Sequence, residues 1–146
     1  MPTPRFALIA YASVVVMLSC TDAPDISSEL NEYERLVNDT NGVACECPLD
    51  LGFAGSSECL EVYGTVSADE RQCLGDALVG AEDEGKAYLD CANSSLQFYL
   101  QCLEANVSCE DGGYDQCRGP FDADIAACPA LPADAKSAFD ACIPWP

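Results

Sequence analysis

Cysteine constrains the folding of this chain more than any other residue type. The chain has 146 residues, of which eleven are cysteines and none is histidine. One cysteine stands apart at position 20, and ten lie between residues 45 and 142. In an exported chain, an even set of spaced cysteines indicates a disulfide framework, here of five bridges. The ten cysteines predicted to form it are Cys45, Cys47, Cys59, Cys73, Cys91, Cys102, Cys109, Cys117, Cys128 and Cys142.

Metal binding is the alternative use of clustered cysteines. Structural zinc sites take closely spaced pairs of cysteines, often together with histidines. Only Cys45 and Cys47 are spaced closely here, and the chain has neither a CxxC pair nor a CxxCH haem attachment site. Disulfides are therefore preferred, and we predict no metal site and no cofactor.

The N-terminal residues indicate export. Arg5 precedes an apolar run from Phe6 to Leu18, and no other charge occurs before Asp22. A short basic segment followed by an apolar segment of this length is typical of a secretory signal. The run is shorter than the roughly 20 apolar residues that cross a bilayer. We therefore predict a signal peptide over residues 1–19.

The apolar run ends in Met17, Leu18, Ser19 and Cys20. These residues resemble the lipobox of bacterial lipoproteins, although leucine is commoner than methionine in the first position. The resemblance implies that the signal is cut before Cys20, whose acyl chains then anchor the mature protein to a membrane. Thr21, where aspartate would favour inner-membrane retention, implies the outer membrane. The alternative is an ordinary signal peptide cut near Ser19 or Cys20, which would release a freely secreted protein.

The mature chain needs its disulfides because it has few large apolar side chains to bury. Residues 20–146 contain 25 Leu, Ile, Val and Phe residues. They also contain five basic and 25 acidic residues, which gives a net charge of −20. Chains with few large apolar residues and a high net charge cannot offset their ordering entropy by burial alone. The charge also excludes nucleic acid as a partner, because phosphate contacts need Lys and Arg.

Apolar periodicity predicts an all-α fold. Residues 20–25 form a short acidic tether, and residues 26–146 form one cysteine-rich domain, a small disulfide-stapled bundle of about five helices. Asn38 to Gly42 is expected to end the first helix, Ser67 and Glu70 form a capping box, and Pro120 is expected to break a helix. Helical patterns cover Asp25 to Val37, Ser57 to Tyr63, Ser67 to Gly80, Ala81 to Ala105, Tyr114 to Ala127 and Pro132 to Cys142.

Two bridges follow from a regular spacing. Cys91 and Cys102 are eleven residues apart, as are Cys117 and Cys128. At about 3.6 residues per turn, this spacing returns nearly to the same helix face. Pairing Cys91 with Cys128 and Cys102 with Cys117 gives both pairs one midpoint, just before a turn at Gly112. We therefore predict these two bridges across an antiparallel helical hairpin.

The other pairings are less constrained. A link from Cys73 to Cys91 across the Gly80 turn competes with the hairpin. For the six remaining cysteines the expected bridges are Cys45–Cys73, Cys47–Cys59 and Cys109–Cys142, out of fifteen possible arrangements.

The sequence predicts no catalytic residue. Without histidine the usual general base at neutral pH is missing, and Ser–His–Asp or Cys–His arrangements are impossible. Calcium is a weak alternative, since acidic clusters at 82–84, at 110–111 with Asp115, and at Asp122 with Asp124 lack the loop of an EF-hand. Their simpler interpretation is favourable placement near helix N-termini.

The mature chain as a whole resembles the small, acidic, cysteine-rich helical lipoproteins predicted in myxobacteria. The resemblance is carried by the lipobox, Cys45-Glu46-Cys47, Glu58-Cys59-Leu60 and the spaced helical cysteines. It implies location and architecture and no assigned activity. The preferred hypothesis is a cell-envelope lipoprotein that acts as a non-catalytic interaction or structural module toward an unknown protein partner. The alternatives are a freely secreted effector or inhibitor, and a weak calcium- or ligand-binding envelope protein.

Overall fold

The computed structural model describes residues 23–106, 109 and 112–143. The predicted signal peptide, Cys20 and the start of the tether lie outside these residues. Within them the chain forms helices and turns and no strand, which confirms the predicted all-α class. The elements are α1 (Ser27–Ala44), a 3-10 helix (Pro48–Leu51), α2 (Ser56–Tyr63), α3 (Ala68–Ala77), α4 (Glu82–Ala105), α5 (Gly113–Ala127) and α6 (Ala133–Cys142).

The two longest helices, α1 and α4, run side by side in the same direction. Glu29, near the start of α1, pairs with Lys86 near the start of α4. Ala44, at the end of α1, shares a buried cluster with Leu103 near the end of α4. α3 packs against α1, α5 packs against α4, and α6 packs against α3. The main core lies between α1, α3 and α4; its most deeply buried side chains include Leu36, Val37, Leu74, Leu89 and Leu96.

The first helix is longer than predicted. It continues to Ala44, through the Asn38 to Gly42 segment that we expected to end it. The Asn38 side chain accepts a hydrogen bond from the Val66 amide at 2.6 Å, and Asn41 Nδ2 donates to the Tyr63 carbonyl at 3.2 Å. These side chains therefore bind the segment before α3 instead of competing for the backbone of α1, which is why the helix does not stop.

The predicted break at Pro120 is also wrong, since α5 is helical from Gly113 to Ala127. Proline lacks an amide hydrogen and usually disrupts a helix interior. Here Pro120 is solvent-exposed, and bridges from Cys117 and Cys128 hold both halves of the helix against α4. The predicted capping box is confirmed: the Glu70 amide donates to Ser67 Oγ at 3.2 Å, and the Ser67 amide donates to Glu70 at 2.7 Å.

The described residues contain five disulfides, and the two predicted across the hairpin are among them. Cys91 is bonded to Cys128 and Cys102 to Cys117, each with a Cα–Cα distance of 5.7 Å. α4 and α5 are therefore an antiparallel pair with two covalent rungs.

The other three expected bridges are wrong, as is the competing link from Cys73 to Cys91. The expected set paired Cys45 with Cys73, Cys47 with Cys59 and Cys109 with Cys142. The structure bonds Cys45 to Cys59, Cys47 to Cys109 and Cys73 to Cys142.

Helix packing explains the difference. α3 runs back along α1, with Val66 beside Asn38 and Gly75 against Leu30, so Cys73 lies far from the end of α1 that carries Cys45. α6 returns from α5 to cover α3, which brings Cys142 to Cys73.

Candidate functional site

A cleft with a volume of about 210 Å³ lies between α5 and α6. Its apolar lining comes from Tyr33 on α1, Tyr88 and Leu96 on α4, and Phe121 and Ile125 on α5. Clefts lined by aromatic side chains with a few convergent polar groups are the usual form of small-ligand sites. The side chains at this cleft therefore form the candidate site.

An aromatic cluster holds the floor of the cleft in place. The ring of Phe139 on α6 meets Tyr33 edge-on at 5.7 Å between ring centroids, and it meets Tyr88 edge-on at 5.6 Å. Edge-to-face pairs at this separation are attractive beyond the area they bury. The cluster joins α1, α4 and α6, and Cys142 in the last turn of α6 is bonded to α3. The floor is thus built on connected helices and not on loops.

Tyr33 is the most unusual residue of the cleft. Its side chain is only 4% exposed, and it lines the cleft. Burial raises the pKa of Tyr33, and the neighbouring Tyr88 and Asp140 raise it further. Those two neighbours line the cleft, so the Tyr33 hydroxyl lies toward it. It therefore remains a neutral hydrogen-bonding group at the cleft.

Two ion pairs form the rim, one on each side. On α5, Arg118 Nε lies 2.8 Å from Asp122 Oδ1, and on α6, Lys136 Nζ lies 2.6 Å from Asp140 Oδ2. Both lysine and arginine are four residues before their partners, the usual spacing for a pair on one helix face. The side chains are from 36% to 56% exposed, and exposed pairs contribute only about 0–1 kcal/mol to stability. Either pair can therefore take a new partner with little loss.

Arg118 also connects the cleft to a smaller polar recess. Its Nη1 donates to the Tyr114 hydroxyl at 3.0 Å. Partial burial by itself would lower the pKa of Arg118, but its hydrogen bonds to Tyr114 and Asp122 outweigh that effect and raise it. The guanidinium consequently stays charged where the cleft meets the recess.

The recess has a volume of about 20 Å³, enough for one water molecule. The hydroxyls of Thr40 and Tyr99 are buried there without a hydrogen bond of normal geometry to the described residues. Burial, and then the nearby Tyr114 hydroxyl, raise the pKa of Tyr99, although these two hydroxyls do not reach hydrogen-bond geometry. Tyr99 stacks on Phe121 with 4.5 Å between ring centroids. Phe121 lines both the recess and the cleft, so its ring lies between them.

A wider groove between α3 and α6 is a poorer candidate. It encloses about 540 Å³ but is an open surface depression. Its lining includes Asp69, Gln72, Asp76 and the Cys73–Cys142 bridge, and no aromatic side chain. An open depression encloses a small ligand on few sides, so the narrower aromatic cleft is preferred.

The residues that the sequence analysis singled out are placed elsewhere. All ten cysteines from Cys45 to Cys142 are bridged and serve the scaffold. Residues 82–84 form the first turn of α4, where the Glu82 carboxylate accepts a hydrogen bond from the Gly80 amide at 2.9 Å. That bond lowers the pKa of Glu82, as expected for a helix cap. Residues 110 and 111 lie outside the described part of the chain.

The acidic clusters do not converge on a metal site. In the described ranges, no three His, Cys, Asp or Glu side chains are grouped so that they could hold a metal ion. Asp115 lies in the first turn of α5, and Asp122 pairs with Arg118 at the cleft.

Sequence reasoning missed the cleft itself. Arg118 and Lys136 received no role in the sequence analysis. The available signal was the repeated spacing of a basic residue four positions before an aspartate, on two neighbouring helices. That signal is weak because Arg35 and Asp39 show it on α1, where it forms only a surface pair.

Among the described helices, none has the length and apolar character needed to cross a membrane. The five disulfides indicate a protein that works outside the cytoplasm, either secreted or in the cell envelope. Comparison with protein-family models, with curated proteins and with solved structures finds no match.

Proposed function

We propose that this chain is a lipid-anchored protein of the cell envelope, displayed at the outer membrane, whose domain binds a small ligand without catalysing a reaction. The observation that carries the binding role is the α5–α6 cleft itself, whose lining combines aromatic side chains with charged groups of both signs.

The anchoring role rests on the N-terminal sequence. Cys20 ends a lipobox-like segment, and its removal leaves an even set of cysteines that are all bridged in the described domain. Two acyl chains hold a protein stably at a membrane, whereas one binds only marginally. The net charge of −20 in the mature chain repels anionic headgroups, so the domain is expected to stand away from the bilayer on its tether.

The non-catalytic role rests on the chemistry of the cleft. A general acid or base works best with a pKa near the operating pH. The pKa values of Tyr33, Tyr88 and Arg118 are all raised, by burial for the tyrosines and by hydrogen bonds for the arginine, and so move away from neutrality. The chain has no histidine to take their place.

Fractionation of cells that express the full chain tests the anchor. The parent protein is expected in the outer-membrane fraction, with the mass of a diacylglyceride on its N-terminal peptide. A Cys20→Ala variant should lose both the acyl mass and the membrane association. A variant that is processed and localised like the parent would contradict lipid anchoring and favour the freely secreted alternative.

Nuclear magnetic resonance of the oxidised mature protein tests the cleft. p-Cresol is a suitable probe because it is small, neutral and aromatic. Its titration is expected to shift the amide signals of residues that line the cleft on α4, α5 and α6, and to saturate at one site. Absence of saturable shifts would contradict a binding role for the cleft.

A matched pair of variants controls for unspecific binding. Ile125→Trp places a bulky indole ring in the cleft wall and should abolish p-cresol binding. Leu49→Trp adds the same ring at a side chain that is 78% exposed, away from the cleft, and should leave binding unchanged. Equal effects of the two substitutions would show that the probe does not occupy the cleft.

A further inference from the structure

We infer that the ligand of the α5–α6 cleft is a small zwitterion with an apolar side group, of the class of free apolar α-amino acids. This inference deepens the proposed binding function and rests on it. It is carried by two features of the cleft: its volume and aromatic lining, and the balance of charges at its rim.

Volume and lining define the apolar part of the ligand. The cleft encloses about 210 Å³. Sites for drug-sized molecules enclose roughly 300–1,000 Å³, so this ligand is smaller. The rings of Tyr33, Tyr88 and Phe121 line the cleft, so an apolar group of the ligand would contact aromatic surface on several sides. An aromatic or branched aliphatic side chain matches both the size and the chemistry.

The rim defines the polar part. The mature chain has only five basic residues against 25 acidic ones, yet two of the five are at this cleft. Arg118 and Asp122 stand on the α5 side, and Lys136 and Asp140 stand on the α6 side. The cleft is therefore electrically balanced within a strongly acidic protein.

The balanced charge of the rim favours a ligand that carries both signs over a ligand of a single sign. An anion would approach against the field of the whole chain and would meet both carboxylates of the rim. A cation would meet the Arg118 guanidinium and the Lys136 ammonium. A zwitterion meets each rim charge with the opposite one: its carboxylate faces the basic groups, and its ammonium faces Asp122 and Asp140.

The groups at the cleft are available for this exchange. The rim side chains are between about a third and just over half exposed, so their mutual ion pairs are weak and can be replaced by pairs to the ligand. The Tyr33 hydroxyl is a donor as well as an acceptor, and Tyr33 lines the cleft. It can therefore donate to the ligand carboxylate from the floor of the cleft.

Calorimetric titration of the oxidised mature protein tests the ligand class with four probes. L-Phenylalanine carries both charges and the ring, 3-phenylpropionate lacks the ammonium, phenethylamine lacks the carboxylate, and glycine lacks the apolar group. L-Phenylalanine is expected to bind at one site, and loss of any one group should raise the dissociation constant about tenfold or more. Equal binding of 3-phenylpropionate or phenethylamine, or no binding of L-phenylalanine, would overturn the inference.

Variants test whether L-phenylalanine binds in the cleft. Lys136→Gln removes one rim cation and is expected to weaken L-phenylalanine binding about tenfold. Arg35→Gln is its matched control, because Arg35 forms a pair with Asp39 at the same spacing and with similar exposure, but away from the cleft. Tyr33→Phe should weaken binding several-fold while keeping the ring contacts with Phe139. Equal effects of Lys136→Gln and Arg35→Gln would overturn the assignment.

The p-cresol titration separates this inference from the proposed function. Binding of p-cresol without binding of L-phenylalanine would overturn the zwitterion and leave the binding cleft in place. Failure of both probes would contradict the binding role itself.

Discussion

Asn38 connects two segments of the chain through a single side chain. Its Oδ1 accepts a hydrogen bond from the Val66 amide at 2.6 Å, and Val66 is only 6% exposed. The same side chain extends toward the Val66 carbonyl, with 3.5 Å between Nδ2 and the oxygen. A buried amide is rarely left without an acceptor, so this residue determines where the segment before α3 lies on α1.

Asn38→Ala should therefore lower the free energy of unfolding by about 1–3 kcal/mol, because it leaves the buried Val66 amide unpaired. Denaturant unfolding of the oxidised protein measures the change. Asn31→Ala is the control, since Asn31 is exposed and bonds only the exposed Arg71 side chain. Its effect should be smaller, and a larger loss for Asn31→Ala would contradict the role given to Asn38.

Glu29 gives the protein a defined acid sensitivity. Hydrogen bonds from the Lys86 ammonium and then from the Ser28 hydroxyl lower the pKa of Glu29 from 4.5 to about 2. A carboxylate whose pKa falls on folding stabilises the folded state above its unfolded pKa. That stability is present above about pH 4.5 and is lost as the pH falls toward about 2.

Glu29→Gln should lower stability at neutral pH by about 1 kcal/mol and flatten its dependence on pH within that acidic window. Urea unfolding at a series of pH values provides the comparison. Asp39→Asn removes a half-exposed surface pair with Arg35 and should have less effect. An unchanged slope in Glu29→Gln would show that another carboxylate is responsible.

At the scale of elements, α5 is a helix that its own sequence disfavours. It contains Gly119 and Pro120 in its interior, and both are exposed. Glycine and proline are less favourable than alanine in a helix interior by about 1 and 3 kcal/mol. The helix persists because two disulfides hold it against α4 on either side of these residues.

Pro120→Ala is therefore expected to stabilise the protein by about 1–3 kcal/mol, since it restores an amide donor in an existing helix. Gly119→Ala should stabilise by about 0.5–1 kcal/mol, because no atom lies within 4 Å of the added methyl group. Thermal unfolding under non-reducing conditions measures both. Destabilisation by Pro120→Ala would mean that α5 depends on a local distortion at this residue.

The whole molecule depends on bridges that join distant parts of the chain. Cys73–Cys142 spans 69 residues and holds the last helix against α3, whereas Cys102–Cys117 spans 15 residues within one hairpin. The entropy removed from the unfolded chain grows with the length of the closed loop. The longer bridge also supports the floor of the cleft, because α6 carries Phe139.

Replacing Cys73 and Cys142 together by alanine should lower the free energy of unfolding by about 4 kcal/mol, against about 3 kcal/mol for Cys102 and Cys117. The first variant should also weaken the near-ultraviolet circular dichroism of Tyr33 and Tyr88, since α6 is then free to leave them. This order would be contradicted if the variant without Cys102 and Cys117 lost more free energy of unfolding while the variant without Cys73 and Cys142 kept its aromatic signal.

The amino-acid sequence determined the helical class, the capping box at Ser67 and the two rungs of the α4–α5 hairpin. Each of these follows from spacings within one helix or across one turn, where the periodicity of the helix is enough to place residues on a common face. The same local reasoning predicted a helix end at Asn38 and a break at Pro120, and at both positions contacts made elsewhere in the fold prevailed.

Only the tertiary structure decided the other three bridges and the cleft. Cys73 meets Cys142, and Tyr33 meets Asp140, because α3 and α6 pack against one another and against α1. Such contacts join residues far apart in the chain, and their choice depends on the free energy of burying whole helix faces, which no local pattern records. Cysteines therefore showed that the chain is stapled, while helix packing determined which cysteines meet and left a charged aromatic cleft between α5 and α6.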